Sequence, residues 1–274
     1  MDVRSALPRP ELLDELLAVA IEVATTCGRL IVDERPEHVS VAATKTSAID
    51  IVTAMDRRSE ELAHRLLAEQ RPEDGIVGEE GLDRAGTSGI TWLVDPIDGT
   101  VNYFYDNDEY AVSVAAVIGD ARSEGGWFPV AGAVFNPASG DLFTARRSGG
   151  AHLGGAPLSP TPPGDLAASL VGTGFAYDAS VRARQADAAA RVIPRVRDIR
   201  RHGAASLDLC AVACGRLDAY YEANLNPWDL AAAWVVVEEA GLTMRGPKQG
   251  RPARELTMAG RPDILDQLEG LVSP

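Results

Sequence analysis

Acidic side chains follow two apolar stretches of the sequence, at the point where each stretch ends. Glu79 comes directly after "GIVG", and the stretch "DPIDGT", which carries Asp95 and Asp98, follows "TWLV". Both stretches are typical of buried strands, and sites in layered α/β proteins usually lie at the carboxyl ends of strands. Carboxylates gathered at one place repel each other and raise each other's pKa values unless a multivalent cation takes up the charge. The spacing therefore predicts a metal site.

The types of ligand indicate which metal and which chemistry. Oxygen ligands without a neighbouring Cys or His favour Mg²⁺ or Mn²⁺ over zinc or copper. A peptide carbonyl between Asp95 and Asp98 offers a further hard ligand, in a turn that Pro96 restrains. Residues 99–101 then suit the start of a short helix, whose free N–H groups can meet a phosphate. Cations beside an anion-binding backbone indicate phosphoryl chemistry.

Each acid also has a purely structural explanation. Asp98 suits a turn, and Glu79 suits a solvated turn charge. Asp56 suits the third position of a helical capping box, and Asp229 suits a helix N-cap. The structural explanation is weaker for the acids at strand ends, because several of them share the usual location of sites in this class.

The elements that must position these acids change in character along the chain. Apolar spacing predicts an amphipathic helix from Glu11 to about Asp33, and the region from Tyr110 to about Leu153 predicts three or four antiparallel strands. After the stretch "APLSPTPPGD", strands alternate with helices. We therefore expect an α+β half at 1–150 that carries most metal ligands, and an α/β half at 151–274 that completes the site.

Composition and charge exclude several classes of protein. With 274 residues, of which 46% are hydrophobic and 24% charged, the chain is typical of globular proteins. A net charge of −14 without a Lys/Arg cluster argues against direct nucleic-acid binding.

Cys27, Cys210 and Cys214 are interpreted as buried thiols in a reducing compartment. The sequence shows neither a signal-peptide pattern nor an apolar run of membrane length, so we expect a cytoplasmic protein without membrane contact.

Other catalytic signatures are missing from the sequence. There is no GxxxxGK[ST] loop, no GxSxG elbow and no HExxH motif. The four histidines are scattered, and we interpret His202, within "DIRRHGAAS", as a structural or rim residue rather than a general base.

Four motifs together resemble the inositol monophosphatase family of Mg²⁺-dependent, lithium-sensitive sugar phosphatases. They stand in the family's order and spacing, and they are "GEEG" at 78–81, "WLVDPIDGTVNY" at 92–103, "GRLDAYYE" at 215–222 and "PWDLAAA" at 227–233. The similarity runs from about Lys45 to Gly241. It implies an α/β fold of the layered αβαβα type with two mixed sheets, a homodimer and inhibition by lithium.

The resemblance implies a set of metal ligands. Glu79, Asp95 and the Ile97 carbonyl would hold a first Mg²⁺. Asp95, Asp98 and Asp229 would hold a second, and Glu79 would contact a third, weaker ion through water. Mn²⁺ is the alternative metal.

The resemblance also implies catalytic and substrate-binding roles. A water activated with help from Thr100 and Asp56, at the metal held by Glu79, would attack phosphorus in line, and the second metal would stabilise the departing alkoxide. Lys45 would belong to a mobile loop over the site. The phosphate- and substrate-binding residues would be Asp98, Gly99, Thr100, Gly203, Ala204 and Glu222.

Two of these positions bear on the choice of substrate. Glu222 matches the family acid that accepts a hydroxyl hydrogen bond from the polyol. Ala204 departs from the family, which usually has Ser or Thr there, so a hydroxyl that could contact the substrate is missing.

The main hypothesis is a Mg²⁺-dependent phosphomonoesterase for small polyol phosphates, with myo-inositol 1-phosphate as the leading candidate. Phosphatases for histidinol phosphate, fructose 1,6-bisphosphate and 3′-phosphoadenosine nucleotides share the metal motif and are the alternatives. A hypothesis of another class is a regulator that binds a protein partner, with incidental catalysis. A calcium-binding structural module is disfavoured because "DPIDGT" lacks the EF-hand ligand ladder.

Overall fold

The computed structural model describes residues 7–45, 51–123, 125–161 and 163–273, and within these ranges it contains both helices and strands. The helices are α1 (Pro10–Asp33), α2 (Ala54–Gln70), α3 (Thr100–Phe104), α4 (Ala179–Val192), α5 (Ala205–Ala213), α6 (Pro227–Glu239) and α7 (Pro262–Val272). The strands are β1 (Val41–Thr44), β2 (Ile51–Thr53), β3 (Gly75–Gly78), β4 (Ile90–Asp98), β5 (Ala111–Gly119), β6 (Trp127–Asn136), β7 (Asp141–Arg146), β8 (Ala151–Leu153), β9 (Ala156–Pro157), β10 (Leu170–Thr173), β11 (Asp198–Arg200), β12 (Ala219–Glu222), β13 (Thr243–Arg245) and β14 (Thr257–Gly260).

These strands form two mixed sheets and a separate β1–β2 pair. The seven-stranded sheet runs in sequence order from β3 to β9, with β3 parallel to β4 and the other neighbours antiparallel. The five-stranded sheet has the order β11-β10-β12-β14-β13, in which β10 is parallel to both β11 and β12. The antiparallel strands predicted between residues 110 and 153 are β5 to β8, and their sheet continues to Pro157.

Helices cover the two sheets in layers. α1 and α2 pack on one face of the seven-stranded sheet, and α5 and α6 lie between the two sheets. α4 and α7 cover the outer face of the five-stranded sheet. The predicted α/β class and αβαβα order are confirmed. No helix in the described ranges combines the length and apolar character that a bilayer span requires.

Local sequence signals explain where the helices begin. α1 has Pro10 at its first position, as helix N-termini favour, and its apolar stripe is buried from Leu13 to Ile31. α2 begins with the predicted capping box: the Thr53 side chain accepts hydrogen bonds from the first turn, and Asp56 Oδ2 accepts one from Thr53 N at 2.7 Å. These two predictions are confirmed at the level of local structure.

The start of α6 differs from the N-cap explanation that the sequence allowed for Asp229. The helix begins at Pro227, and its N-cap is Asn226, three residues before Asp229. Asp229 is the third helical residue, and its Oδ2 accepts a hydrogen bond from Asn226 N at 2.7 Å. The N-cap explanation is therefore wrong, because Pro227 lacks an N–H and suits the first helical position.

The cysteines are free thiols. Cys27 and Cys210 are buried, as predicted, while Cys214 is half-buried at the end of α5. Burial raises the pKa of the Cys27 thiol to about 12, which keeps it protonated and chemically inert.

Gly132 sets how closely the central helix α6 approaches the seven-stranded sheet. A Cβ atom built on Gly132 would lie 2.6 Å from the Cα of Ala232, which is too close for either backbone to remain in place. We expect Gly132→Ala to lower the free energy of unfolding by about 1–3 kcal/mol in urea denaturation, because the two layers must separate. Gly270→Ala in α7 is the matched control. Its Cβ meets no atom within 4 Å, so it should raise the same quantity by about 0.5–1 kcal/mol. Equal stability of the two variants would contradict this account of the packing.

Candidate active site

A bulge in β4 brings Asp95 and Asp98 to the same site. Residues three apart in a regular strand point to opposite faces of the sheet. Here Asp95 pairs with Ser113 and Asp98 pairs with Ala111, so β4 has one more residue than β5 over this interval. Asp95 Oδ1 also accepts a hydrogen bond from Ile97 N at 3.1 Å, which stabilises the turn. Both carboxylates are buried, and Asp98 contributes to the raised pKa of Asp95.

The N-terminus of α5 holds the carboxylate of Asp98. Asp98 Oδ1 accepts a hydrogen bond from Ala205 N at 3.1 Å, and Oδ2 accepts bonds from Ser206 N at 2.7 Å and Ser206 Oγ at 2.5 Å. Burial raises the pKa of Asp98 to about 7, although the bonds from Ser206 oppose that shift. Sequence reasoning missed Ser206. Its position in the first turn of a helix was a signal that its backbone N–H and hydroxyl could bind an anion.

Ala204 is the N-cap of α5 and makes no side-chain capping bond. Serine or threonine at this position could cap the helix, but here the Asp98 carboxylate accepts the bonds from the first turn instead. With alanine at position 204, the N–H groups at the start of α5 therefore donate their hydrogen bonds to Asp98, a predicted metal ligand.

Glu60 of α2 stabilises the turn that carries Glu79. Sequence reasoning missed this residue. Glu60 is 1% exposed, and its two carboxylate oxygens accept hydrogen bonds from Glu80 N at 2.5 Å and Leu82 N at 2.7 Å. Gly78 permits this contact, since a Cβ there would lie 2.4 Å from Glu60 Oε1. The glycine before the acidic turn is thus required by close packing.

The four acids predicted as metal ligands interact electrostatically in the fold. Burial raises the pKa of Asp95 well above its ordinary value, and Glu79, Asp98 and Asp229 raise it further. Burial likewise raises the pKa of Asp229, with Glu79 adding to the shift. Electrostatic repulsion among neighbouring carboxylates is the property expected of metal ligands in the absence of the cation.

Asp56 and Thr100, the two residues to which the resemblance gives a role in water activation, are hydrogen-bonded to each other. The Thr100 hydroxyl lies 3.0 Å from Asp56 Oδ1 and 2.9 Å from the Ile97 carbonyl oxygen, so its proton can go to either acceptor. Burial raises the pKa of Asp56 to about 6, against the hydrogen bonds from Thr53. A carboxylate is therefore placed to receive a proton through Thr100.

Glycines at the predicted phosphate-binding positions permit close approach of the backbone. Gly99 is the N-cap of α3 and has a φ of +89°, and its missing Cβ would lie 2.7 Å from the Glu109 carbonyl oxygen. Gly203 has a φ of +96° and lies against the guanidinium of Arg201. The positive φ favours glycine at both positions, and at Gly99 the close contact with the backbone adds a steric reason.

Glu222 ends β12 and is held by its own strand. The Tyr220 hydroxyl donates a hydrogen bond to Glu222 Oε2, and Gly174 lies so close that a Cβ there would be 2.0 Å from that oxygen. Burial raises the pKa of Glu222 to about 7, which the Tyr220 bond partly opposes. This acid is therefore positioned by packing as well as by a hydrogen bond.

Lys45 supplies a positive charge to this group of acids. Its Nζ lies 2.8 Å from Glu79 Oε1 and 2.5 Å from Glu80 Oε1. Burial lowers the pKa of the Lys45 ammonium, but the attraction of Glu79 and Glu80 outweighs that effect and raises it above its ordinary value. The predicted mobile loop continues into residues 46–50, which lie outside the described residues.

The donor set fits a hard divalent cation, although the ligands are not gathered into a cage. Within the described ranges, no three His, Cys, Asp or Glu side chains stand in an arrangement ready to hold a metal ion. The acids are nevertheless close enough for their charges to raise the pKa values of Asp95 and Asp229, and all of their donors are oxygen. Glu79, Asp95, Asp98 and Asp229 would supply the oxygen ligands of such a cation.

His202 has a structural contact that explains its position. Its Nδ1 pairs with Asp208 Oδ1, and Asp208 is 2% exposed. This bond raises the pKa of His202, while burial opposes the shift. The two side chains line a cavity of about 270 Å³ that none of the predicted metal ligands lines.

Comparison with known proteins places this geometry in context. Residues 12–272 match the family model described as the inositol monophosphatase family. Inositol-1-monophosphatase SuhB of Mycobacterium tuberculosis is 42% identical over 235 residues, which cover 82% of this chain and 78% of that protein. Nus factor SuhB of Salmonella typhimurium is 33% identical over 228 residues, which cover 82% of this chain and 83% of that protein.

Solved structures agree with the fold. The extragenic suppressor protein suhB from Bartonella henselae superposes with a TM-score of 0.85 and 32% identity, over 94% of this chain and 98% of that one. Mycobacterium tuberculosis SuhB has a TM-score of 0.78 and 38% identity, over 94% of this chain and 96% of that one.

Proposed function

Because the chain belongs to the inositol monophosphatase family, we propose that it is a Mg²⁺-dependent phosphomonoesterase for small polyol phosphates, with myo-inositol 1-phosphate as the leading substrate. The observation that carries the proposal is the group of Glu79, Asp95, Asp98 and Asp229. Asp95 and Asp98 are buried, and charges within the group raise the pKa values of Asp95, Asp98 and Asp229. Mg²⁺ or Mn²⁺ is the cation that suits these oxygen donors.

Thr100 and Asp56, which lie next to the acid group, have different roles in the proposed hydrolysis. When bound, Mg²⁺ supplies positive charge for the phosphate and lowers the pKa of water. Thr100 orients the attacking water through its hydroxyl oxygen when the hydroxyl donates its own proton to Asp56 Oδ1, which lies 3.0 Å from that oxygen. Asp56, with a pKa of about 6, is ionised at neutral pH and accepts a proton through this bond.

Glu222 would select a substrate that carries hydroxyl groups. A carboxylate accepts two hydroxyl hydrogen bonds from a polyol, and Glu222 is close enough to the proposed metal ligand Asp229 to raise the pKa of that carboxyl. Ala204 offers no hydroxyl, so recognition of the ring rests more on Glu222 than the family pattern implies. A homodimer and inhibition by lithium are further proposals that rest on the family resemblance.

The proposal is tested by phosphate release from inositol 1-phosphate, histidinol phosphate, fructose 1,6-bisphosphate and 3′-phosphoadenosine 5′-phosphate, with Mg²⁺ or with EDTA. Glu222→Gln should raise KM for the preferred polyol phosphate about tenfold or more, because a charged acceptor is lost, and should leave turnover of 4-nitrophenyl phosphate unchanged. Glu69→Gln, at an exposed acid near the end of α2, is the matched control and should change neither value. A folded protein that hydrolyses no panel member with Mg²⁺ would refute the proposal.

The comparison with Nus factor SuhB supports a second candidate, a regulator that binds a protein partner. Such a role does not require the acid group. Partner capture by an Asp95→Asn variant that has lost phosphatase activity would separate the two functions.

A further inference from the structure

The side chain of Asn102 joins three segments of the chain beside the proposed catalytic site. Asn102 lies on α3, two residues after Thr100, and is 8% exposed. Its Nδ2 donates one hydrogen bond to the carbonyl oxygen of Glu109 at 2.6 Å and another to that of His202 at 2.8 Å. An asparagine amide has two N–H donors, so both are used here. One side chain therefore connects α3 to the loop before β5 and to the loop before α5.

Glycines allow these segments to approach one another. A Cβ on Gly99 would lie 2.7 Å from the Glu109 carbonyl oxygen and 3.2 Å from the Cβ of Ala204. A Cβ on Gly203 would lie 3.2 Å from Asn102 Nδ2. The positions that the resemblance assigned to phosphate binding on the two segments are therefore neighbours.

The segment that begins at His202 also carries the donors that hold Asp98. Asp98 accepts hydrogen bonds from two backbone N–H groups in the first turn of α5, at 3.1 and 2.7 Å. The His202 ring pairs through Nδ1 with Asp208, which lies on α5 and is 2% exposed. The two donors lie between His202 and Asp208 in the sequence, so a displacement of His202 would be passed on to Asp98.

We propose that Asn102 is a positioning residue for the catalytic site, which acts through the His202 carbonyl on the hydrogen bonds that orient Asp98. This role rests on the proposed function, in which Asp98 is a metal ligand. Asn102 and His202 are 100 positions apart in the sequence, and their hydrogen bond fixes where the start of α5 lies relative to the turn after β4. Loss of a hydrogen-bond partner of a metal ligand typically weakens metal binding by about 10- to 100-fold. A residue that positions such a partner should have an effect near the lower end of that range.

The proposal is tested by Mn²⁺ titration of the metal-free full chain without substrate, in which electron paramagnetic resonance reports the free Mn²⁺. Asn102→Ala removes both donors without adding a charge. It should weaken Mn²⁺ binding about tenfold at a temperature at which the variant is folded, because Asp98 loses its fixed orientation. Asn102→Ser, which keeps a single donor, should weaken binding less, and it replaces the alanine variant if that protein folds poorly.

Asn136→Ala is the matched control. Asn136 is 5% exposed, and its Nδ2 donates to the Asp108 carbonyl oxygen at 2.9 Å, so it also holds the loop before β5. Both alanine variants should lower the melting temperature of the metal-free protein, because each loses a buried hydrogen bond. Only Asn102→Ala should change the Mn²⁺ affinity, whereas a merely structural role of Asn102 predicts the same affinity for both variants.

Ser206→Ala tests the route from Asn102 to Asp98. It removes the hydroxyl that donates to Asp98 Oδ2. Because both residues act on one carboxylate, the loss of Mn²⁺ affinity in the double variant should be smaller than the product of the two single losses. Losses that multiply as independent effects would overturn the proposed route.

The wild-type chain separates a failure of this role from a failure of the proposed function. If it binds Mn²⁺ and hydrolyses a polyol phosphate, but Asn102→Ala and Asn102→Ser bind Mn²⁺ with the wild-type affinity, only the positioning role is overturned. If the wild-type chain binds no Mn²⁺ and releases no phosphate, the proposed function is refuted, and the positioning role with it.

Discussion

Asp95→Asn is expected to lower Mg²⁺-dependent phosphate release by about a thousandfold and, at the same time, to raise the melting temperature of the metal-free protein. Asp95 is 2% exposed, and three other acids raise the pKa of its carboxyl. Replacing it with a neutral amide removes buried repulsion and so stabilises the metal-free protein, but it also removes one of the proposed metal ligands. Opposite signs for activity and stability are the signature of an acid retained for function.

Asp74→Asn provides the matched control for that experiment. Asp74 is also buried, at 1% exposure, but it has partners: Arg71 Nε at 2.8 Å, Ser88 Oγ at 2.6 Å and Trp92 Nε1 at 3.0 Å. Its neutralisation should lower the melting temperature and leave the turnover of folded protein unchanged. If Asp95→Asn instead destabilised the metal-free protein as Asp74→Asn does, the account of Asp95 as an uncompensated ligand would be wrong.

The stability of the metal-free protein should fall as pH rises from about 4 to about 7. Burial raises the folded-state pKa of Asp98 and of Glu222 to about 7, and that of Asp56 to about 6. In the unfolded chain these acids lose their protons near pH 4. Between these values the folded state binds more protons than the unfolded state, so the free energy of unfolding decreases with increasing pH.

Thermal melts with EDTA and with Mg²⁺ test this linkage. We expect a higher melting temperature at pH 5 than at pH 8 in EDTA. Mg²⁺ should restore stability at pH 8 and have little effect at pH 5, where protons compete for the same oxygens. Asp98→Asn should reduce the pH dependence, because it removes one of the shifted groups. A melting temperature in EDTA that rises steadily from pH 5 to pH 8 would contradict the raised pKa values.

Local sequence signals predicted much of the fold because they act over short range. The apolar spacing of α1 and the capping box of α2 each involve residues within a few positions of each other, and both are observed with nearly the predicted bounds. The start of α6 was less clear, since both Asn226 and Asp229 are able to cap a helix, and the proline between them decided which residue does.

The sequence by itself determined which residues are able to bind a metal, because acid type and position after apolar strands are local properties. Only the tertiary structure decided that they act as a group. The bulge in β4 gives Asp95 and Asp98 a common site, α5 supplies the hydrogen bonds to Asp98, and Glu60 holds the turn of Glu79. Each of these contacts joins residues from separate elements, so burial and electrostatic repulsion among the acids arise only when the layers pack together.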